Sequence, residues 1–351
     1  MPAASSVDRF RRSLLVAAPA LLLGACGTSP NRVSSDPART LNERLAVEDE
    51  AGFLAVFAPS EGPQALAGRM FATLSKQDAA ITMTDAGRLR VDWSFPGEPR
   101  VSSEASMDLI GGRIANLIAL TSGAEWLGRS LGVHAAPDLV VAAGTAEHLS
   151  RWSRAAEAAL VALRQVFPVG RSRSEPVVVL VPDTLTEFAG YAGAGAARLG
   201  AVTVVPGLPV SEGVRIVVNP TVAQKSADDR VLLAHESVHA WMRSPRLTGT
   251  PGWLIEGIAE AFTAAIYPQV ADSNGRLVRT AIRDGIPDRL PEVGDATPTG
   301  YALAQLVVQA MVDKVGWPAV LDEAEARTHG GARLADSAIL AWYREALTRA
   351  R

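Results

Sequence analysis

The chain has 351 residues, 48% of them hydrophobic, enough for about two domains with ordinary cores, which excludes intrinsic disorder as the global state. With 34 Lys and Arg against 37 Asp and Glu the formal net charge is −3, so no positive excess is available to hold polyanions and nucleic acid is not an expected partner. Cys26 is the only cysteine, which excludes an intramolecular disulfide and leaves stability to packing or a bound metal.

Residues 9–26 join a basic stretch (Arg9, Arg11, Arg12), an apolar run from Leu14 to Leu23 broken by Pro19, and the small-residue exit Leu23-Gly24-Ala25-Cys26. The run is about half of the roughly 20 residues that a spanning helix needs, so it reads as an export signal. The tetrapeptide resembles the bacterial lipobox, in which the cysteine becomes the first mature residue and carries the lipid. That resemblance implies a signal peptide over 1–25, lipidation at Cys26, and an exported chain anchored to the outer face of the cell membrane or another extracytoplasmic membrane. An ordinary signal peptide with an incidental cysteine is the alternative. Arg11-Arg12-Ser13-Leu14-Leu15 also resembles the twin-arginine export signal, which would imply export of a folded protein; general secretory export remains open beside it. No later segment reaches 18 apolar residues, so a soluble body on a lipid tether is expected.

Residues 26–40 are polar and turn-rich and read as a flexible stalk. From Leu41 to Phe57 the apolar positions are spaced as in helices, and a further short helix follows Pro63. Ala79–Thr84 and Arg88–Phe95, with Leu89, Val91 and Trp93 alternating with polar neighbours, read as strands with one wet face. Met107–Ile110 and Ile114–Leu120 form a hairpin across Gly111-Gly112. Helices followed by antiparallel strands make residues 41–130 a small α+β accessory domain. In element order alone it resembles the cone-shaped nuclear-transport-factor-2-like domains. It holds no catalytic cluster, and the isolated His134 and His148 read as structural or surface residues.

A second α+β domain, sheet first and then mostly helical, is read over 146–351. It opens with a long helix, Glu147–Val166, and the apolar strand Val177–Val181; Asp183 or Thr184 caps a short helix ending near Tyr191. Residues 191–200 are a plain loop or a mobile flap. Ala201–Val205 and Arg215–Val218 form a strand pair, and Ser226 opens a helix that Pro245 ends. That helix contains His235-Glu236-Ser237-Val238-His239. Residues four apart lie one above the other on a helix face, so the two imidazoles can close on one metal ion, with Glu236 within reach of a metal-bound water: the H-E-x-x-H pattern.

A further helix follows, with Thr250 as cap and Pro251 in its first turn. It carries Trp253-Leu254-Ile255-Glu256-Gly257-Ile258-Ala259-Glu260. A hydrolytic zinc site needs three protein ligands and an open fourth position, and Glu256 is the obvious third ligand. Here the chain resembles the gluzincin, or peptidase MA-like, metallopeptidases, whose second helix carries W-L-x-E-G; the match is close over 235–262 and looser over 177–316. The resemblance implies a zincin-like domain with Zn²⁺ on His235, His239 and Glu256. Glu236 is then the general base, and Glu260 supports a zinc-bound histidine from behind. The reverse assignment, Glu260 as ligand and Glu256 as support, is also open.

Gly300-Tyr301-Ala302-Leu303-Ala304, opening a helix to Val315-Gly316, resembles the family's tyrosine-bearing helix. Tyr301 is the candidate donor to the tetrahedral oxygen, with His329 as the weaker alternative and simple packing of Tyr301 equally open. In gluzincins the strand before the active-site helix is an edge that binds extended substrate. The matching stretch is Arg215–Asn219, which otherwise is an ordinary hairpin strand. The aminopeptidase G-A-M-E-N loop is absent. Trp241, Trp253 and residues 191–200 either line the cleft or belong to core and loop. The expected function is that of an extracytoplasmic zinc metallopeptidase acting on peptide or protein substrates through a zinc-activated water. The alternatives are a zinc hydrolase of another acyl group and a non-catalytic lipoprotein whose N-terminal domain binds a partner.

Overall fold

The computed structural model describes residues 36–351 except 122, 129, 168–174, 194, 196–197, 209–210, 222–228, 284 and 293–296. The expected signal peptide, the lipidation site Cys26, stalk residues 26–35 and Ser226 lie outside the described residues. Among the described residues no helix is long and apolar enough to cross a membrane.

Asp36 caps the first helix by accepting a hydrogen bond from the Arg39 backbone N–H at 3.1 Å, and Pro37 fills the first helical position, where its missing N–H costs nothing. Helix α1 (Pro37–Ala46) buries Pro37, Ala38, Leu41 and Leu45. The stalk expectation is therefore corrected: residues 36–40 belong to the folded body, because a cap and an apolar face outweigh their polar composition. Helices α2 (Glu50–Leu54) and α3 (Glu61–Leu74) follow, then an antiparallel meander of β1 (Asp78–Met83), β2 (Leu89–Ser94), β3 (Val101–Ile110) and β4 (Arg113–Ala119), in sheet order β1-β2-β3-β4. Leu89, Val91 and Trp93 are fully buried, as their alternation requires. Gly111 and Gly112 both take positive φ, which the two-residue turn between Ile110 and Arg113 demands. β3 begins six residues before the predicted hairpin arm.

After the one-turn α4 (Glu125–Gly128), a second sheet is built from β5 (Gly132–Ala136), β6 (Leu139–Ala143), β7 (Val177–Val181), β8 (Ala201–Val204) and β9 (Arg215–Val218), in the order β5-β6-β7-β9-β8. The sheet therefore starts at Gly132, not after residue 146. β6, β7 and β9 run parallel, with α5 (Ala146–Val166) crossing from β6 to β7 and α6 (Leu185–Ala192) following β7, capped by Thr184. Both faces of β6 and β7 are covered, which is why they are unbroken apolar runs. Val141, Ala143, Val179 and Val181 pack into the helical core, while Val140, Ala142, Val178 and Leu180 pack into the N-terminal core. The N-terminal unit thus sits on the second sheet.

At this junction Arg215 is fully buried. Its guanidinium donates to Glu98 Oε1 and Oε2 at 2.7 and 2.8 Å and to Glu125 Oε1 at 2.8 Å, and it stacks 4.7 Å over Trp93. Burial opposes its charge, but the two carboxylates outweigh that and hold its pKa above the ordinary value.

The rest is helical: α7 (Asp229–Met242), a 3-10 turn (Ser244–Arg246), α8 (Gly252–Ile266), α9 (Pro268–Ala281), α10 (Pro298–Thr328) and α11 (Asp336–Ala350). α10 breaks at Gly316 (φ 78°), near the predicted helix end. Thr250 is not a side-chain cap for α8; its hydroxyl donates to the Ala324 carbonyl at 2.6 Å, tying the helix start to α10. Helices α8 and α10 approach so closely at Gly257 that a Cβ there would lie 2.4 Å from the Ala304 carbonyl oxygen. Gly257→Ala is accordingly expected to destabilise the fold by about 1–3 kcal/mol through overpacking, read as a lowered Tm in a thermal melt. An unchanged Tm would mean that the two helices separate freely.

Candidate metal centre

Three elements meet around one cleft of about 570 Å³: α7, α8 and the edge strand β8, with Tyr301 from α10 closing one side. The four-residue spacing is used twice. His235 and His239 occupy one face of α7, and Glu256 and Glu260 one face of α8, so the two pairs confront each other across the helix contact.

His235 Nε2 and His239 Nε2 lie 3.0 Å apart, and Glu256 Oε2 lies 3.3 Å from each. Donors about 2.0–2.1 Å from a tetrahedral centre are separated by roughly 3.3–3.4 Å, so these three atoms have the spacing of one face of such a centre. Glu256 Oε2 is buried yet accepts no hydrogen bond of acceptable geometry. A buried, unsatisfied carboxylate oxygen between two imidazole nitrogens is costly unless a cation lies among them. Two neutral nitrogens and one carboxylate oxygen are a donor set that suits zinc. The residues present therefore fit the metal that the sequence pattern implies, and this trio is the cluster of metal-ligating side chains found among the described residues.

The outer supports are equally defined. Glu260 Oε1 faces His235 Nδ1 at 3.4 Å, on the far side of the ring from Glu256, and its other oxygen accepts from Asn274 Nδ2 at 2.9 Å. Asn274 also donates to Gln305 Oε1 at 2.7 Å, linking α9 and α10 to the site. His239 Nδ1 lies 3.0 Å from the Ser244 hydroxyl. Each histidine thus has its second nitrogen held, which fixes ring orientation. In this arrangement it is Glu256, not Glu260, whose oxygen faces both Nε2 atoms.

Burial opposes a charge on His235, but the facing carboxylates of Glu256 and Glu260 outweigh it and push the pKa well above the ordinary value. Glu256 shows the converse: burial would raise it, while His235 and His239 hold it well below the usual carboxylate range. Glu260 is lowered against its own burial by His235 and Asn274.

Glu236 is almost fully buried at the cleft wall and accepts a 2.6 Å hydrogen bond from the Thr203 hydroxyl of β8. Tyr301 is half-buried with its ring centroid 6.2 Å from that of His235. Burial, reinforced by Glu256, Glu236 and Glu260, raises its pKa, so the phenol keeps its proton through the neutral range. His329 is exposed at the C-terminal end of α10 and is not among the residues lining the cleft.

Two points that the sequence leaves open are decided here. β9 is interior, paired with β7 on one side and β8 on the other, so the Arg215–Asn219 stretch has no free edge; the edge beside the cleft is β8, whose Ala201, Val202 and Thr203 line it. Trp241 and Trp253 are core residues, on α7 and α8 respectively, and Trp241 packs edge-on against Phe167 at 4.9 Å. Leu199 and Gly200, from the stretch read as loop or flap, do line the cleft. Thr203, Ser244 and Asn274 were not legible as site residues: each comes from a different element, and no local pattern marks them. No family model, no curated protein and no solved structure matches this chain.

Proposed function

We propose that the protein is an exported, lipid-anchored zinc metallopeptidase of gluzincin type, hydrolysing peptide bonds in peptide or protein substrates. The observation that carries the reading is the trio of His235, His239 and Glu256 donor atoms, mutually 3.0–3.3 Å apart, one of them a buried oxygen without a hydrogen-bond partner. Zinc, when bound there, supplies a Lewis acid that activates water and polarises the scissile carbonyl.

The chain's own residues account for the remaining steps. Glu236 accepts a proton from the attacking water and delivers it to the leaving amine; the Thr203 hydroxyl holds one of its carboxylate oxygens in place. Tyr301, protonated at neutral pH, donates to the oxygen on which negative charge develops. Among the described residues no strand pairs with the outer edge of β8, which offers backbone groups to an extended substrate. Val202, Val231, Leu232, Ile255 and Val270 make the cleft wall apolar, which favours an apolar side chain next to the cleaved bond. The anchoring part of the reading rests on the sequence around Cys26.

The test is hydrolysis of a quenched-fluorescent peptide library by the purified protein. Activity that disappears with a chelator and returns with added zinc is the expected result. Hydrolysis indifferent to chelation would remove the metallopeptidase assignment.

A further inference from the structure

Two contacts steady the metal-bearing helix from outside it: Thr203 on Glu236 and Ser244 on His239. They stand on separate elements, β8 and the turn after α7. Both elements are tied to one stretch of chain, the connection from β8 to β9. β8 runs directly into it at Val204, and Arg246, in the same turn as Ser244, donates from Nη2 to the Ser211 carbonyl.

That connection is in turn fastened to β3 of the N-terminal unit. The Leu208 N–H donates to the Ser102 carbonyl at 2.8 Å, the Ser102 N–H donates to the Ser211 hydroxyl at 3.0 Å, and the Ser211 hydroxyl donates back to the Ser102 carbonyl at 3.3 Å. Ser211 is 1% exposed, so water does not compete for these bonds. Gly207, at φ +84°, allows the approach: a Cβ there would lie 2.3 Å from the Ser102 carbonyl oxygen. At the far end of the connection, Arg215 is locked by Glu98 and Glu125 of the N-terminal half.

We infer that the N-terminal unit is a positioning element of the metal centre: β3 grips the β8–β9 connection at Ser102, and through it holds Thr203 on Glu236 and Ser244 on His239. The functional meaning of this grip rests on the peptidase reading above, whereas the mechanical coupling stands on the contacts themselves. Thr203, Ser244 and Ser211 are positioning residues.

Hydrogen exchange of the full chain, compared with Ser211→Ala, tests it. The expected result is exchange at least about tenfold faster in β8 and at the Arg246 and Leu247 amides, with β6 and β7 unchanged, since only the local opening is made easier. Zinc affinity should fall by about tenfold, the low end for loss of support to a metal-bound histidine. Arg246→Gln, which leaves the β3 contacts intact, should loosen the Ser244 turn without loosening β8 and serves if Ser211→Ala does not fold. Unchanged exchange at β8 and the turn would overturn the inference. So would acceleration spread evenly through the fold, or unchanged zinc affinity despite local loosening. A wild-type chain that binds no zinc, yet gives the regional exchange pattern, would keep the coupling and remove the peptidase reading.

Discussion

Glu236→Gln is expected to retain about one zinc per chain and to lower kcat by roughly 10²–10⁴, the range for loss of a positioned general base. Glu236 is not one of the three clustered donor atoms, so its charge is not needed to hold the metal. The amide is nearly isosteric and its oxygen can still accept from Thr203, so the cleft wall should keep its shape. What is lost is the ability to take a proton. Kinetics on a cleaved peptide, alongside elemental analysis of the same preparation, separate the two effects. Full activity in the variant would exclude Glu236 as the base, and loss of zinc would place it in the metal shell instead.

The second large effect distinguishes the two acidic residues of α8. Glu256 Oε2 faces both Nε2 atoms at 3.3 Å, whereas Glu260 reaches only His235 Nδ1, at 3.4 Å on the other side of the ring. Glu260→Gln should therefore weaken zinc binding by roughly 10–100-fold, as outer supports of metal sites do. Glu256→Gln should cost more, because it removes the one anionic donor and leaves none of the four tetrahedral positions with protein charge. Competition with a chromogenic chelator reads both affinities. The opposite ranking would exchange the roles of Glu256 and Glu260.

These contrasts show how differently sequence and structure bear on the site. The two helix-borne pairs were legible because a helix converts a spacing of four into a shared face, and Glu236 is adjacent to His235 in the chain. The outer supports were not, since Thr203, Ser244 and Asn274 reach the centre from three other elements and their residue types are common everywhere. In the fold, β2 and the Gly111-Gly112 hairpin were legible from alternation and turn chemistry, and Val177–Val181 from its flanking turns. β6 was not, because Leu139–Ala143 is a short apolar run whose periodicity does not separate strand from buried helix. The edge was hidden for another reason: β7 and β9 pair in parallel although β8 lies between them in the chain, and nothing local shows that β9 lies inside β8. The α+β class survived these errors, as did the order of sheet before helices in the second half.

The most direct measurement for the central claim is zinc content by elemental analysis of the purified protein beside His239→Ala. His239 supplies one of three donor atoms, and two remaining donors do not make a closed site. About one zinc per chain is expected in the wild type and a small fraction of that in the variant. No stoichiometric zinc in the wild type, even after zinc is offered, would contradict it.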